Sequence, residues 1–260
     1  MPYQTLKLSH NGAVTTLTLH RPEKRNAITT RMIDELMNAL REVESGPARV
    51  LILTGAGEAF CSGMDIEELR SLVEQSVEES IEDSRRIAKM FRTLHSFPKP
   101  IIAAVNGSAL AGGCGIATLA DFTLAVPHAK LGYPEGRIGF IGAIVSVFLK
   151  RQVGDRTVRD LLLTGRLMSA EEACRAGLIN EVVLSEKLLE RAGDLASQLL
   201  TVSPTSLIFT KRLLREFSEA EIDREIELAI HENSLIRSTA DFKEGVTAFL
   251  EKRKPEWRGH

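Results

Sequence analysis

The stretch Ile101–Gly115, IIAAVNGSALAGGCG, decides how this chain is built. An apolar, β-branched run meets a bend packed with small residues, and a helical pattern takes over through Ile116–Ala120. Strand, turn and helix in that order leave free backbone N–H groups at the helix start, where the helix dipole also favours negative charge. Gly112 and Gly113 carry no side chain, so a ligand can come right up against their backbone. A second unit of the same design lies upstream. Arg49–Thr54 (RVLILT) reads as a strand, Gly55–Gly63 (GAGEAFCSG) as a small-residue loop and Met64–Leu72 as a helix. Two such N–H donors facing one cavity would stabilise a developing oxyanion, often the largest single contribution to catalysis.

Outward from these units, residues 3–8 and 14–19 flank Asn11-Gly12 and read as a hairpin. Leu17 and Leu19 alternate with Thr16 and Thr18, which buries one face of its second strand. Met32, Leu36, Leu40 and Val43 have helical spacing, with Thr29 or Thr30 as the N-cap. Gln75–Phe97 is charged and helical, with an apolar stripe of Ile81, Ile87, Met90, Phe91 and Leu94. Phe122–Val126 reads as a strand and Lys130–Gly142 (KLGYPEGRIGFIG) as a glycine-punctuated connection. Helices are expected at about 143–152, 157–163 and 170–176, then a short strand at 180–184. Beyond Ser185 only helices follow. One opens on Ser203-Pro204, a Ser cap with Pro at the first helical position. The last, Asp241–Lys252, carries Phe242, Val246, Phe249 and Leu250 on one side. The pattern predicts an α/β core over residues 1–195 with a helical module over 196–260. That module is too small to hold much core alone, so it packs on the body or on a neighbouring subunit.

The 260 residues are 43% hydrophobic and 26% charged, which describes an ordinary globular core. A net charge of -2 gives no basic field for nucleic acid or anionic membrane. Three cysteines, Cys61, Cys114 and Cys174, form an odd, sparse set that points to reduced thiols. With no secretory signal, transit peptide or membrane-spanning run in view, the expected location is the cytoplasm. Gly112-Gly113-Cys114-Gly115 is not a dinucleotide fingerprint, and no phosphate-binding loop is present. The six histidines lack metal-ligand spacing, so no metal is expected. Cys61 and Cys114 sit in the small-residue bends without a nearby histidine, and read as small buried fillers. Glu135, in Gly132-Tyr133-Pro134-Glu135-Gly136, is a carboxylate among apolar neighbours, the setting that raises a pKa and suits proton transfer. A solvated or helix-capping glutamate is the competing local reading.

Taken in order, several motifs resemble the crotonase superfamily of enoyl-CoA hydratases and isomerases. They are Arg21–Ala27 (RPEKRNA), Ala59–Ile66 (AFCSGMDI), Val105–Cys114 (VNGSALAGGC), Leu131–Gly139 (LGYPEGRIG), Leu163–Ala173 (LTGRLMSAEEA) and Ala248–Lys254 (AFLEKRK). The resemblance implies a spiral of ββα turns, a C-terminal helical region that builds a trimer or a hexamer of paired trimers, and an acyl-CoA substrate with no separate cofactor. By motif position the oxyanion donors would be the N–H groups of Met64 and Gly112, the same amides singled out above. Lys24, Arg25, Ala27, Cys61, Gly63, Asp65 and Ile66 would line the CoA, with Leu110, Gly113, Pro134 and Gly139 also among the residues that bind the substrate or its CoA. Phe249 and Lys252 would lie near the nucleotide end. Hydratases of this family hold water between two glutamates; Glu135 matches the second, but Gly115 stands where the first belongs. The resemblance therefore implies 2-enoyl-CoA hydration on a single glutamate. Isomerisation of 3-enoyl-CoA to 2-enoyl-CoA is the alternative, and a CoA-binding assembly subunit with vestigial activity is a third reading of another class.

Overall fold

A computed structural model describes residues 2–259. Its central sheet has six strands, β1 (Leu6–Asn11), β2 (Val14–Leu19), β3 (Val50–Gly55), β4 (Ile101–Val105), β6 (Phe122–Ala125) and β9 (Glu181–Val182), in the order β1-β2-β3-β4-β6-β9. Only the β1–β2 hairpin is antiparallel. Gly12 turns that hairpin at φ +56°, and Asn11 pairs with Val14. Every residue of β4 is buried, as are Val50–Thr54 of β3, which is why both read as unbroken apolar runs. The expected alternation holds in β2, where Thr15, Leu17 and Leu19 are buried.

The sequence reading lacks three short strands, β5 (Ala109–Leu110), β7 (Lys130–Gly132) and β8 (Leu167–Ser169). They form a second sheet in the order β5-β7-β8. Isolated parallel bridges Cys61↔Ala109 and Ile28↔Met64 extend this layer. After leaving the central sheet, the chain thus lays one short segment per turn beside the last: Cys61, Ala109, Leu131, Met168. The connection at 130–142 is therefore a strand plus a 3₁₀ turn, Pro134–Ile138, rather than loop throughout.

Eleven helices are described. α1 (Thr30–Ser45) is capped by Thr29, whose side chain accepts from the Met32 N–H. α2 (Ile66–Leu72) starts two residues later than expected because Asp65 is its cap. α3 (Val77–His95) opens on a capping box between Ser76 and Glu79. α4 (Gly112–Thr118) follows the second bend; α5 (Ala143–Gln152), α6 (Asp155–Thr164) and α7 (Ala170–Arg175) come next. The C-terminal helices are α8 (Leu188–Leu200), α9 (Pro204–Glu216), α10 (Glu219–Arg237) and α11 (Ala240–Leu250). None is long and apolar enough to cross a membrane among the described residues.

α10 joins the main apolar core through Ile222, Ile226, Ala229 and Ile230. Phe242 and Val246 of α11 form a second cluster with Leu69 and Leu72 of α2. α9, by contrast, buries no residue at all. α11 also meets the turn that carries Glu135, backbone against backbone. A Cβ on Gly245 would lie 2.4 Å from the Ile138 carbonyl, and one on Gly139 would lie 2.3 Å from the Asp241 oxygen.

Gly245→Ala should therefore lower stability by about 1–3 kcal/mol, read from urea unfolding, because backbone cannot yield as a side chain can. Gly193→Ala in α8, where an added Cβ meets nothing within 4 Å, should stabilise by about 0.5–1 kcal/mol through the lost flexibility of glycine. Equal effects in the two variants would contradict the packing described for α11.

Candidate active site

One cavity of about 820 Å³ runs between the second sheet and the helices. Its walls come from α2 (Leu69, Leu72), α3 (Ile87, Met90, Phe91), α5 (Ile144, Val145) and the Ile138–Gly142 loop. Lys24, Arg25 and Arg253 supply positive charge elsewhere on its surface.

Two bends hold the cavity's backbone donors, and they touch. A Cβ on Gly113 would strike the Cys61 carbonyl at 2.5 Å and its side chain at 2.7 Å. A Cβ on Gly63, at φ +91°, would sit 3.0 Å from the Ala111 side chain. The Leu110 N–H donates to the Cys61 carbonyl at 2.9 Å, closing the pair. Asn26 anchors the first bend from beneath: it is fully buried, its Nδ2 donates to the Ala56 and Ala59 carbonyls, and its Oδ1 accepts from the Arg21 N–H. Arg21 ion-pairs with Asp65 at 2.9 Å, fixing the residue after Met64.

Met64 and Gly112 line the same cavity. Ile28 bonds on either side of Met64, donating to the Gly63 carbonyl and accepting from the Asp65 N–H. The Met64 N–H has no acceptor among the described residues, and neither has that of Gly112, the first residue of α4. α2 and α4 have only seven residues each. These amides therefore act as individual donors rather than through a long helix dipole. Ala111, just before Gly112, is held at φ 52°, ψ −128°, which costs a non-glycine residue about 1–3 kcal/mol. Its N–H is tied to the Gly132 carbonyl at 2.8 Å, and that bond fixes the strained turn.

Glu135 stands on the 3₁₀ turn and faces this cavity. The residue as a whole is half-buried, but its carboxyl oxygen Oε2 is sealed and has no hydrogen-bond partner. Desolvation pushes its pKa up to about 7, and its own backbone N–H offsets this only in part. At neutral pH the group holds or releases a proton with similar ease. The corner at Gly115 is different. An added Cβ there would lie 2.8 Å from both the Phe91 ring and Val145 Cγ1. The position where a second carboxylate would begin is filled by hydrocarbon.

Of the residues singled out in the sequence, Lys24, Arg25, Ala27, Met64, Asp65, Ile66, Leu110, Gly112, Pro134, Glu135 and Phe249 line the cavity. Cys61, Gly63, Gly113 and Gly139 do not. They form the packing behind its walls, and burial pushes the Cys61 thiol up to about 12. Burial does the same for Cys114, so neither thiol is primed as a nucleophile. Lys252 is also absent from the cavity surface; it turns left-handed at φ 56° past the end of α11, and Arg253 lines the cavity instead. Asp83, Asn233 and Phe91 line it too; Phe91 stands out in the sequence only as part of an apolar helical stripe, and Asp83 and Asn233 carry no signal there. Among the described residues no group of three His, Cys, Asp or Glu could hold a metal ion.

Comparison with known proteins places the chain in a family. A family model described as enoyl-CoA hydratase/isomerase matches residues 9–260. A Thermus thermophilus protein provisionally named an enoyl-CoA hydratase is 41% identical, covering 95% of this chain and 98% of that protein. The crotonyl-CoA hydratase of Syntrophomonas wolfei is 36% identical, covering 98% of each. The crystal structure of an enoyl-CoA hydratase/isomerase from Xanthobacter autotrophicus superposes with a TM-score of 0.89 at 28% identity, covering 97% of this chain and 98% of that one. The fold is the crotonase fold, and the chain belongs to the enoyl-CoA hydratase/isomerase family.

Proposed function

We propose that the protein adds water to a 2-enoyl-CoA to give a 3-hydroxyacyl-CoA, using Glu135 as its single acid–base group. The observation that carries this reading is an unpartnered, proton-exchanging carboxyl in the same cavity as two free backbone donors. The thioester oxygen accepts from the Met64 and Gly112 amides. The Glu135 carboxylate takes a proton from water, hydroxide adds at C3, and negative charge moves onto the thioester oxygen as an enolate. The protonated Glu135 then returns the proton to C2. Lys24, as a point charge, and the Arg25 guanidinium balance the CoA phosphates, while Arg253 is held by Glu244 and Glu251.

The filled corner at Gly115 supports isomerisation as a second reading. One carboxylate suffices to take a proton from C2 of a 3-enoyl-CoA and deliver it to C4. Glu135→Gln should lower crotonyl-CoA hydration by about 10²–10⁴ if the first reading holds. Faster turnover of a 3-enoyl-CoA than of crotonyl-CoA would select the second. No turnover of either, with CoA esters still bound, would leave an assembly role. Wild-type kcat/KM should rise with pH to a plateau, with its midpoint near the Glu135 pKa of about 7.

Stability should move the other way. A raised acid pKa means that the folded state holds the proton more tightly than the unfolded chain, so stability is full below about 4.5 and falls as pH rises through about 7. Glu135→Gln should thus match the wild type at pH 4 and exceed it at pH 8 by about 3 kcal/mol in urea unfolding.

Gly115→Glu alone should give no gain in hydration and a loss of about 1–3 kcal/mol in stability, because the core there is full. Gly115→Glu with Val145→Ala opens room on one side, and its hydration rate should exceed that of the single variant in the same assay.

We also propose that residues 196–260 assemble the chain into a homotrimer or a dimer of trimers. α9 and the turn after it expose Phe209 (54%), Leu213 (52%), Leu214 (62%) and Phe217 (74%), a continuous apolar face that a second copy would cover. Leu214→Glu with Phe217→Glu should yield monomer by sedimentation; an unchanged oligomer would place the interface elsewhere.

A further inference from the structure

Away from the backbone donors the cavity ends in polar groups that the hydration chemistry leaves unused. α3 presents Asp83, Ile87, Met90 and Phe91 to the cavity as one stripe at helical spacing. Phe91 marks the reacting end, because its ring tip is 3.8 Å from where a Gly112 Cβ would stand. Asp83 lies eight residues earlier on the same helix, or about 12 Å along its axis at 1.5 Å per residue. Between them the wall is hydrocarbon.

Two oxygens at this far end have no partner among the described residues. Asn233 of α10 is 3% exposed and lines the cavity. Its amide orientation is fixed by the neighbouring hydroxyl: Ser84 donates to the Ser80 carbonyl at 2.7 Å, so it can only accept from Asn233 Nδ2, at 2.9 Å. That leaves Asn233 Oδ1 free. Asp83 sets its Oδ2 2.8 Å from Arg237 as an ion pair that is not hydrogen-bonded, and no hydrogen bond engages its Oδ1 among the described residues. Arg237, 3% exposed, is held by Gln75 and lies over the Phe140 ring, and it does not line the cavity. The Asp83 charge is therefore balanced by Arg237, and the two residues lining this end of the cavity offer acceptors.

We propose that this end of the cavity selects acyl groups bearing a hydroxyl, a hydrogen-bond donor, at a distance of about eight to ten carbons from the thioester, the length that spans 12 Å with bonds of about 1.5 Å. A methyl end leaves Asn233 Oδ1 unpaired when it displaces water, and a carboxylate end brings acceptor against acceptor. The inference rests on the acyl-CoA reading of the site and names its substrate class.

Titration calorimetry with saturated, unreactive CoA esters tests it without requiring turnover. Eight- and ten-carbon acyl-CoAs ending in methyl, hydroxyl or carboxylate are compared on the wild type, on Asn233→Leu, and on Asp83→Leu with Arg237→Leu. The double variant replaces the ion pair by hydrocarbon and leaves no lone buried charge. In the wild type the hydroxyl ester of at least one length should bind about tenfold tighter than its methyl counterpart, and the preference should vanish in both variants. Equal affinity for hydroxyl and methyl ends at both lengths overturns the inference. So does a carboxylate ester that binds tightest, or a hydroxyl preference that survives in both variants. If none of the esters binds, the acyl-CoA reading itself falls; if all bind alike, only the selectivity does.

Discussion

The cavity takes its shape from the backbone at Gly113 running against Cys61 with no side chain between them. That contact draws together two bends which follow different strands of the central sheet. It is reinforced by the Leu110–Cys61 hydrogen bond and by Asn26 tying the loop below. Because the bends are held by backbone and by buried amides, the Met64 and Gly112 donors are fixed before any ligand arrives. Preorganised donors need no rearrangement as charge develops, which is where electrostatic catalysis gains most. The strained Ala111 turn belongs to the same device, since the Gly132 carbonyl holds its N–H and the Gly63 bend packs against its side chain.

Glu135 depends on the opposite physics. The bends offer donors that want negative charge, whereas the carboxyl is placed where charge is unwelcome. Its sealed oxygen and raised pKa follow from the apolar loop and helices around it. Stability and charge therefore pull against each other at this residue. The fold tolerates the conflict because the turn carrying Glu135 is clamped by α11, and the Phe140–Phe242 ring contact adds to that clamp.

Much of this was legible in the sequence, for reasons that can be named. β3 and β4 are buried on both faces, so their apolar runs stand out, and the small residues after them mark the bends. Glu135 was visible as a carboxylate inside an apolar loop. The strands β5, β7 and β8 were not visible, because two or three residues give no alternation to read. Motif position also fails to tell a lining residue from one just behind the wall, which is why Cys61, Gly63, Gly113 and Gly139 were expected on the surface of the cavity. The sequence showed that Gly115 lacks a carboxylate. Only the structure shows that Phe91 and Val145 have taken the room. Asp83 and Asn233 come from helices far apart in the chain, and no local pattern announces such a meeting.

The clamp between α11 and the Glu135 turn has a consequence for the life of the polypeptide. Gly245 follows Glu135 by 110 residues, so during synthesis the turn bearing the carboxyl emerges long before its support does. Until α11 has emerged, the turn lacks the backbone against which it packs. The burial of that carboxyl is thereby tied to a helix made long after it, and loss of α11 would loosen the Glu135 turn.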